Sequence, residues 1–547
     1  MGFYDMYSGV PTHVALPILA FAGLAGFEIV RTSFSISKTR SISCLVKILH
    51  SKVFSLSNNP DVDEMDDIIS ELPNDILLSI ISRLSTIEAV RTSILSRKWR
   101  DLYKFIHHVK FDCFDMLKFS LRGNPRFGVE AVDTFFQHYS GPRFGVEAVD
   151  TFFQHYSGSK LVSFRLTCHF RSPYLDSFHL WMQSLCRLGV EQLELLRIDK
   201  DHEPYFSWNL LYEASSLEKV SLNNFNLKLE LMNSCYPFKV LEFHCVDFAP
   251  GAIECIVSSC PSLTTLTLTE CTLPSKVCIH NPKLTLLRIE LDFPTRQDRE
   301  IDIHAINLNS FEYKDCRRRR LTFSCVPSLE RLSITLNGNG IRPSVFGQLM
   351  EDLPPVKTLY YENSDIDLQE YKICELNNTL LRNLRELFFI LIKPECKLLR
   401  ITKIFDACPL LQKFHLMLQA RKPELIKVMN ASPYLQKFHM MSQTLELSSS
   451  DDGHSNIAGF HSELEEVELT GFTGTENEMR LALYILKTAV SLKQMRIIRC
   501  QKRYVGYGRW EWMENMESRF NEEKRRMIHE RLEGQALSKS AQVIILG

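Results

Sequence analysis

The chain has 547 residues, of which 45% are hydrophobic, and its 64 basic and 65 acidic side chains leave a formal charge of −1. This length permits more than one domain, and the hydrophobic content excludes an intrinsically disordered chain. The balanced charge lacks the clustered basic excess that nucleic-acid binding requires. The composition therefore indicates a folded, multidomain protein with no nucleic acid among its expected partners.

The sequence contains no recognisable catalytic, metal-binding or phosphate-binding motif. Its sixteen cysteines contain no Cys-x-x-Cys pair, so neither a zinc site nor a thioredoxin-type motif is predicted, and a reducing compartment, the cytoplasm or nucleus, is expected. It also lacks a phosphate-binding loop, a zinc-protease helix and a nucleophile elbow. We therefore expect no catalytic residue, no metal and no cofactor.

One hydrophobic run lies near the N-terminus, over residues 14–30. It is shorter than the roughly 20 apolar residues of a membrane helix, contains Pro17 and Glu28, and lacks the basic flank of a secretory signal. No membrane span is expected here. We expect residues 1–64 to be a poorly ordered extension before a start at Met65, a hypothesis that mass-spectrometric mapping of the mature N-terminus tests.

The segment after Met65 has the pattern of short packed helices. Its apolar residues recur at the spacing of one helical face: Ile76, Leu77, Ile80, Ile81 and Leu84. Pro73 suits a first helical turn, and Ser85 with Glu88 has the spacing of a capping box that would begin a second helix. About 40 residues make a small core, so a partner is expected to complete it. Periodicity alone leaves open a helical hairpin within a larger all-α domain.

Three strings in this segment resemble the F-box: Leu-Pro-Asn-Asp-Ile-Leu at 72–77, Ala-Val-Arg-Thr-Ser at 89–93 and Ser-Arg-Lys-Trp-Arg at 96–100. The resemblance implies docking on a Skp-type adaptor of a cullin-based ubiquitin ligase. One departure is Leu84-Ser85, where the family often has Leu-Pro, which loosens one turn. By carry-over from the motif, the adaptor-binding residues are Leu72, Pro73, Ile76, Leu77, Ile80, Leu84, Val90 and Trp99.

An unusual tandem copy follows the F-box. The 17 residues from Pro125 to Gly141 recur unchanged from Pro142 to Gly158. Structural repeats let surface positions vary, so a recent duplication or an assembly error explains the copy better. A continuous helix would displace the second apolar face by about 100°, and Gly141-Pro142 breaks it. We expect the second copy to pack and the first to be extra.

From residue 161 onward, an apolar-x-x-apolar-x-apolar pattern recurs every 21 to 29 residues, which is within the period of about 20 to 29 residues of leucine-rich repeats. Each unit is expected to supply one strand, with a helix or a looser turn on its return limb. Neighbours must stack into a curved solenoid to bury their apolar faces. The opening residues are Leu161, Val190, Leu217, Phe238, Leu263, Leu284, Leu308, Leu329, Val356, Leu384, Leu411, Leu435, Leu464 and Leu492.

Cysteines and prolines recur at fixed positions in these repeats, the cysteines after a strand and the prolines before one. Cys271, Cys316 and Cys500 follow strands at the position where such repeats place Asn or Cys to satisfy backbone groups in the turn. Proline cannot extend a preceding helix, so a proline two residues before an opening residue marks the return to the strand. This position is held by Pro261, Pro282, Pro327, Pro409 and Pro433.

The C-terminal part around residues 460–500 resembles the FBD module of plant F-box proteins. Its pattern predicts a strand from Leu464, a turn at Gly471 and Gly474, an amphipathic helix, and a strand from Leu492 to Ile498. The charged run from Trp510 to Glu533 is predicted to form an exposed helix and a polar end cap.

The predicted fold class is α/β, a small helical F-box followed by a curved leucine-rich-repeat solenoid. The expected parts are an extension (1–64), the F-box (65–105), a connecting segment (106–160), the solenoid (161–460) and an FBD-like terminal repeat with a cap (461–547). The resemblance implies a non-enzymatic adaptor that joins an unknown protein target to the Skp-type adaptor and cullin complex. A ligand-sensing receptor that uses Arg317 to Arg320, or a scaffold outside any ligase, stays open.

Overall fold

A computed structural model describes residues 73–112, 149–198, 205–228, 235–291, 300–315, 320–336, 356–363, 382–392, 398–419, 460–513 and 520–546, apart from short gaps inside these ranges. The chain divides into two compact units, Met1–Phe238 and Lys239–Gly547. The predicted extension (1–64), its apolar run and the first duplicated copy lie outside the described residues. No described helix is long and apolar enough to cross a membrane.

The described part of the first unit begins with helix α1 (Asn74–Ile81), as the F-box pattern predicts. It starts directly after Pro73, whose carbonyl oxygen accepts hydrogen bonds from the backbone N–H groups of Ile76 and Leu77, both at 3.1 Å. The inward face of α1 packs near a 3₁₀ helix, Leu102–Phe105. The predicted capping box at Ser85 and Glu88 lies outside the described residues.

Strands of the first unit form a parallel ladder in the order β1, β2, β3, β5. Their bounds are β1 His108–Asp112, β2 Ser163–Cys168, β3 Gln192–Arg197, β4 Tyr205–Ser207, β5 Lys219–Asn223 and β6 Asn226–Lys228. Helix α2 (Leu175–Arg187) connects β2 to β3, and a 3₁₀ helix (Trp208–Leu211) follows β4. The short strands β4 and β6 pair with each other.

The second duplicated copy packs in the first unit, as expected. The Phe152 ring lies 5.3 Å, centroid to centroid, from the ring of Phe111 on β1. The Tyr156 hydroxyl donates a hydrogen bond of 3.0 Å to the carbonyl oxygen of Ile106. The copy leads directly into β2, and its aromatic residues pack against β1 at the start of the ladder.

Strands of the second unit form a longer parallel ladder in the order β7, β8, β10, β12, β14, β15, β16, β17, β18, β19, β22. These strands are β7 Val240–His244, β8 Thr265–Thr269, β10 Leu286–Leu291, β12 Ser310–Asp315, β14 Arg331–Leu336, β15 Thr358–Asn363, β16 Glu386–Ile392, β17 Lys413–Gln419, β18 Glu466–Thr470, β19 Gln494–Ile498 and β22 Gln542–Leu546. Strands β9 (Lys276–His280), β11 (Glu300–His304) and β13 (Arg320–Cys325) form a separate parallel sheet.

Repeat length decides what fills the return limb. Helix α3 (Ala252–Ser259) lies in a 25-residue unit and helix α4 (Glu476–Thr488) in a 28-residue unit. The units of 21 and 24 residues between Leu263 and Leu329 carry β9, β11 and β13 instead. A strand advances about 3.3 Å per residue and a helix about 1.5 Å, so a strand spans the limb with fewer residues.

The predicted leucine-rich repeats are confirmed. Each described strand that follows a predicted opening residue begins two residues after it, as β8 does after Leu263. The opening residue Leu435 lies outside the described residues, and β17 pairs directly with β18. The register aligns buried apolar residues across neighbouring strands, such as Leu287, Phe311 and Leu332, each 0% exposed. Burying each such side chain contributes about 1.5 to 3 kcal/mol.

The C-terminal region corrects one prediction. The FBD-like order of strand, glycine turn, helix and strand is present as β18, Gly471 to Gly474, α4 and β19. The predicted continuous helix of Trp510 to Glu533 is wrong, because the run begins with a strand. Strands β20 (Gln501–Gly506) and β21 (Arg509–Met513) form an antiparallel hairpin, and helix α5 spans only Glu522–Leu532.

Candidate functional site

The F-box residues predicted to bind the adaptor divide by exposure. Leu77, Ile80 and Trp99 are each 0% exposed, so their side chains hold the F-box together. Pro73 is exposed, and Ile76 and Leu84 are half-buried. Leu72 and Val90 lie outside the described residues. Within the described part of the motif, Pro73, Ile76 and Leu84 are therefore the predicted residues that a partner can touch.

A hydrogen bond joins the F-box to the first strand. The Thr86 hydroxyl accepts a 2.7 Å bond from the backbone N–H of Lys110 on β1. The Thr92 hydroxyl donates a 2.7 Å bond to the carbonyl oxygen of Ala89 within the motif. The bond from Lys110 thus ties the motif to the start of the ladder, whereas the bond from Thr92 is internal to the motif.

The second surface of interest is the outer face of the second unit, defined as the side of its long ladder opposite the repeat core. Residues alternate between the two sides of a strand. On β16, Leu387 and Phe389 enter the core, whereas Glu386, Phe388 and Ile390 lie on the outer face. Side chains on this face do not take part in the packing of the repeat core.

A charged ladder occupies the outer face at β10 and β12. Arg288 Nη2 lies 2.9 Å from Glu290 Oε2, and Arg288 Nη1 lies 3.7 Å from Glu312 Oε2. Lys314 forms a further ion pair with Glu290. Burial raises the pKa of Glu290, but Lys314 and Arg288 outweigh it and bring the pKa below its ordinary value. These strands therefore present paired charges.

An apolar patch replaces those charges at β15 to β17. It comprises Phe388, Ile390 and Met417, which are 9%, 2% and 2% exposed, and Tyr360 packs against it. The rings of Tyr360 and Phe388 stack at 4.4 Å. Burial, together with the charge of Glu386, raises the pKa of Tyr360 to about 12. The apolar patch is buried even though it faces away from the repeat core.

The hairpin formed by β20 and β21, called the hairpin below, covers this apolar patch. The Trp510 ring stacks 5.5 Å from that of Phe388, and the Tyr504 ring stacks 5.4 Å from that of Tyr360. The Tyr504 hydroxyl donates a 2.7 Å hydrogen bond to Glu312 Oε1. Lys502 Nζ pairs with Glu468, which is 6% exposed. Burial raises the pKa of Tyr504, and its hydroxyl is the donor at neutral pH.

His415 lies beneath the hairpin between two carboxylates. Its Nε2 is 3.7 Å from Glu386 Oε1 and its Nδ1 is 3.9 Å from Glu468 Oε1. Burial lowers the pKa of His415, but the two carboxylates outweigh burial and raise it. Burial likewise opposes ionisation of Glu468, yet His415 and Lys502 lower its pKa to about 2. Both groups are therefore stabilised in their charged forms.

The cysteine predictions have a mixed outcome. Cys271 is buried, and its Sγ donates to the carbonyl oxygens of Phe243 (3.4 Å) and Thr269 (3.3 Å), as the repeat pattern predicts. Cys500 instead lies beside the hairpin, with Sγ 3.3 Å from the carbonyl oxygen of Met513. Cys316 lies outside the described residues. The ten cysteine side chains that the structure describes are unbridged.

One described cluster brings metal-ligand side chains together: His244, Cys245 and Glu270. Cys245 Sγ donates to Glu270 Oε2 at 3.3 Å, and His244 Nε2 lies 3.9 Å from the same oxygen. Cys245 and Glu270 each follow a strand with left-handed backbone, as Asn224 does after β5. The cluster therefore follows from a turn that the repeats share. Of the Arg317 to Arg320 run that the alternative ligand-sensing receptor would use, Arg317 to Arg319 lie outside the described residues.

Sequence reasoning missed the hairpin, strand β22 and the return-limb strands β9, β11 and β13, whereas Val109 to Phe111 of β1 has a strand-like pattern. The residues of the hairpin carry a usable pattern, since Lys502, Tyr504, Trp510 and Trp512 alternate on either side of Gly506 and Gly508. Alternating aromatic residues around glycine are typical of a β-hairpin. The charged run from Trp510 to Glu533 indicated an exposed helix instead.

Comparison with known proteins agrees with this architecture. The F-box domain model matches residues 69–102, and the model described as "At1g61320/AtMIF1, LRR domain" matches residues 153–530. In Arabidopsis thaliana, the F-box/FBD/LRR-repeat protein At1g78750 is 24% identical over 341 residues, which are 59% of this chain and 71% of that protein.

Two further Arabidopsis thaliana relatives match shorter parts. The F-box/LRR-repeat protein At3g59210 is 28% identical over 269 residues, which are 46% of this chain and 49% of that protein. The F-box protein At3g60790 is 27% identical over 252 residues, which are 44% of this chain and 48% of that protein. The chain thus spans about half the length of these two relatives.

A helical F-box followed by parallel strands in successive leucine-rich repeats defines the class of F-box/LRR proteins. The repeat match covers more than half of the chain. The chain belongs to the At1g61320/AtMIF1 leucine-rich-repeat domain family and carries an F-box ahead of that domain.

Proposed function

We propose that this F-box protein is the substrate-recognition adaptor of a cullin-based, SCF-type ubiquitin ligase. Its F-box would bind a Skp-type adaptor, and its repeats would hold the target. The observation that supports this proposal most is the F-box match at residues 69–102 joined to a repeat domain at 153–530. A chain with this role performs no chemistry itself. It brings the target close to the subunits that transfer ubiquitin.

The proposal assigns adaptor contact to the exposed side of α1. Pro73 and Ile76 offer apolar surface there, whereas the neighbouring Leu77 is 0% exposed. Apolar anchors near the centre of an interface carry much of the binding energy. Ile76 should therefore contribute to binding, and Leu77 to folding.

Co-purification of the full chain with a Skp-type adaptor tests this division. Ile76→Lys is expected to abolish recovery of the adaptor while the circular-dichroism spectrum and melting temperature stay unchanged. Leu180→Lys is the matched control, because Leu180 is an apolar residue on α2 that is 61% exposed. Leu180→Lys should leave recovery intact.

Undiminished recovery with Ile76→Lys would sink the assignment of this surface. Failure of the unmodified chain to recover any adaptor or cullin would favour a scaffold outside the ligase. The same proposal expects the protein in the cytoplasm or nucleus, where imaging of a fluorescent fusion checks it.

A further inference from the structure

The apolar patch of the outer face has no role in the repeat core. Phe388, Ile390 and Met417 alternate with the residues that enter the core, yet they are 9%, 2% and 2% exposed because the hairpin covers them. Contiguous apolar surface on an outward face is typical of an interaction site. This surface therefore already has an occupant, and that occupant belongs to the same chain.

The hairpin occupies the outer face through two kinds of contact. Its aromatic residues Trp510 and Tyr504 stack on Phe388 and Tyr360. Its polar atoms reach two carboxylates that are hardly exposed, with Lys502 paired to Glu468 and the Tyr504 hydroxyl bonded to Glu312. The outer face thus offers an aromatic platform between two acidic groups, which suits an aromatic and basic occupant.

The hairpin is separable from the ladder beneath it. Strands β20 and β21 form their own two-stranded sheet and are not hydrogen-bonded into the long ladder. A two-stranded hairpin is marginally stable alone, and such elements open at a lower free energy than the core. The hairpin can therefore leave the apolar patch without breaking any backbone hydrogen bond of the ladder.

We propose that the hairpin is a removable lid over the target-binding patch, and that the target is a protein segment with aromatic and basic side chains that takes its place. An aromatic residue of the target stacks on Phe388 and Tyr360, and a cation pairs with Glu468. This inference rests on the proposed function, since it names the surface and the chemistry by which the repeats hold a target.

Native methionines report the opening of the lid. Met417 lies under the hairpin, Met495 is 0% exposed in the repeat core, and Met513 is half-buried on the hairpin itself. Methionine oxidises according to the exposure of its sulfur. In dilute hydrogen peroxide, peptide mass spectrometry of the full chain should show Met417 oxidising more slowly than Met513 and faster than Met495.

Two glycines at the tip of the hairpin supply a matched pair of variants. Gly506 has φ +92°, and a Cβ there would collide with Arg288 Nη1 and lie 3.3 Å from Glu312 Oε2. Arg288 cannot yield freely because it is paired with Glu290 and Glu312. Gly508 has φ +70°, but nothing lies within 4 Å of its Cβ position.

Gly506→Ala should therefore unseat the lid. Oxidation of Met417 is expected to rise about 5- to 30-fold, because the clash of the new Cβ with Arg288 exists only while the hairpin is seated and opening relieves it. Gly508→Ala carries similar strain whether the hairpin is seated or open, so Met417 should keep its original rate. Trp510→Ala removes the cover directly and should give the largest rise, which shows that the hairpin protects Met417.

A synthetic peptide of residues 500–514 serves as the probe for partner chemistry. Added to the Gly506→Ala variant, it is expected to return Met417 oxidation to the original rate. The same peptide with alanine in place of Tyr504 and Trp510 should not. Failure of the first peptide to protect Met417 would overturn the proposed aromatic and basic occupant.

The lid itself is overturned if Met417 oxidises no faster than Met495 in both the unmodified chain and Gly506→Ala. That outcome would make the hairpin a fixed part of the fold. None of these measurements involves the Skp-type adaptor. Loss of adaptor binding would therefore contradict the proposed function and leave the Met417 result standing, and the reverse also holds.

Discussion

Replacing Glu468 with glutamine removes a negative charge that several cations face beneath the hairpin. The Glu468 carboxylate pairs with Lys502 Nζ and lies 3.6 Å from Arg496 Nη1 and 3.9 Å from His415 Nδ1. Glutamine keeps the size and hydrogen-bonding ability of the side chain. The substitution therefore isolates the contribution of the charge.

The lowered pKa of Glu468 sets the magnitude. The pKa falls from 4.5 to about 2 for a side chain that is 8% exposed. At about 1.4 kcal/mol per pKa unit, the ionised carboxylate contributes roughly 3 to 4 kcal/mol at neutral pH. A carboxyl group with a depressed pKa stabilises the fold above pH 4.5, and this contribution disappears as the pH falls towards about 2.

Hydrogen exchange of the backbone amides of the hairpin is the assay. Lys502 is one of the cations that share this energy, and a share of about 1 to 2 kcal/mol accelerates exchange about 5- to 30-fold at pH 7. Glu466→Gln is the control on the same strand, because its 41% exposed carboxylate pairs with Lys413 at 3.1 Å. A surface pair of this kind contributes about 0 to 1 kcal/mol.

The reasoning is refuted if both variants accelerate exchange of the hairpin equally. It is also refuted if Glu468→Gln leaves exchange unchanged at pH 7. In either case the buried carboxylate would have no specific part in seating the hairpin.

Three further predictions follow from the described contacts. Because Glu386 and Glu468 raise the pKa of His415, its protonated form stabilises the fold below about pH 6.5, and this contribution is lost as the pH rises through the raised pKa; the melting temperature should fall over that range, and His415→Gln should remove this dependence. Asn281→Ala should lower the free energy of unfolding by about 2 to 4 kcal/mol in thermal denaturation. The Asn281 side chain is 2% exposed and donates to the carbonyl oxygens of Val257 (3.2 Å) and Cys260 (3.0 Å). Asn307→Ala, at an exposed position, should lower it far less. Leu77→Ala should destabilise the F-box by about 2 to 5 kcal/mol, and a smaller loss would contradict its place in the core.

The repeats were predictable because their physics is local and periodic. An apolar residue at alternate positions defines one side of a strand, and the regular interval between Leu263 and Leu284 defines the next unit. The confirmed strands begin two residues after each described opening residue for this reason. The F-box helix was predictable in the same way from the spacing of Leu77, Ile80 and Ile81.

The candidate sites were only partly predictable. The F-box motif names Ile76 and Leu77 together, and exposure separates them, since Leu77 is 0% exposed and Ile76 is half-buried. The hairpin escaped prediction because its decisive partners are distant in sequence. Tyr504 bonds to Glu312 across 192 residues, and no local pattern contains such a pairing.

The sequence by itself determined the F-box, the leucine-rich repeats and the position of nearly every ladder strand, because helix and strand periodicities are written in neighbouring residues. Tertiary structure decided how the outer face is used. The stacking of repeats places the ring of Phe388 on β16 beside that of His415 on β17. The hairpin then packs Trp510 against residues of these two strands. Contacts of this kind depend on the three-dimensional register of the repeats, so they exist only once the ladder has formed.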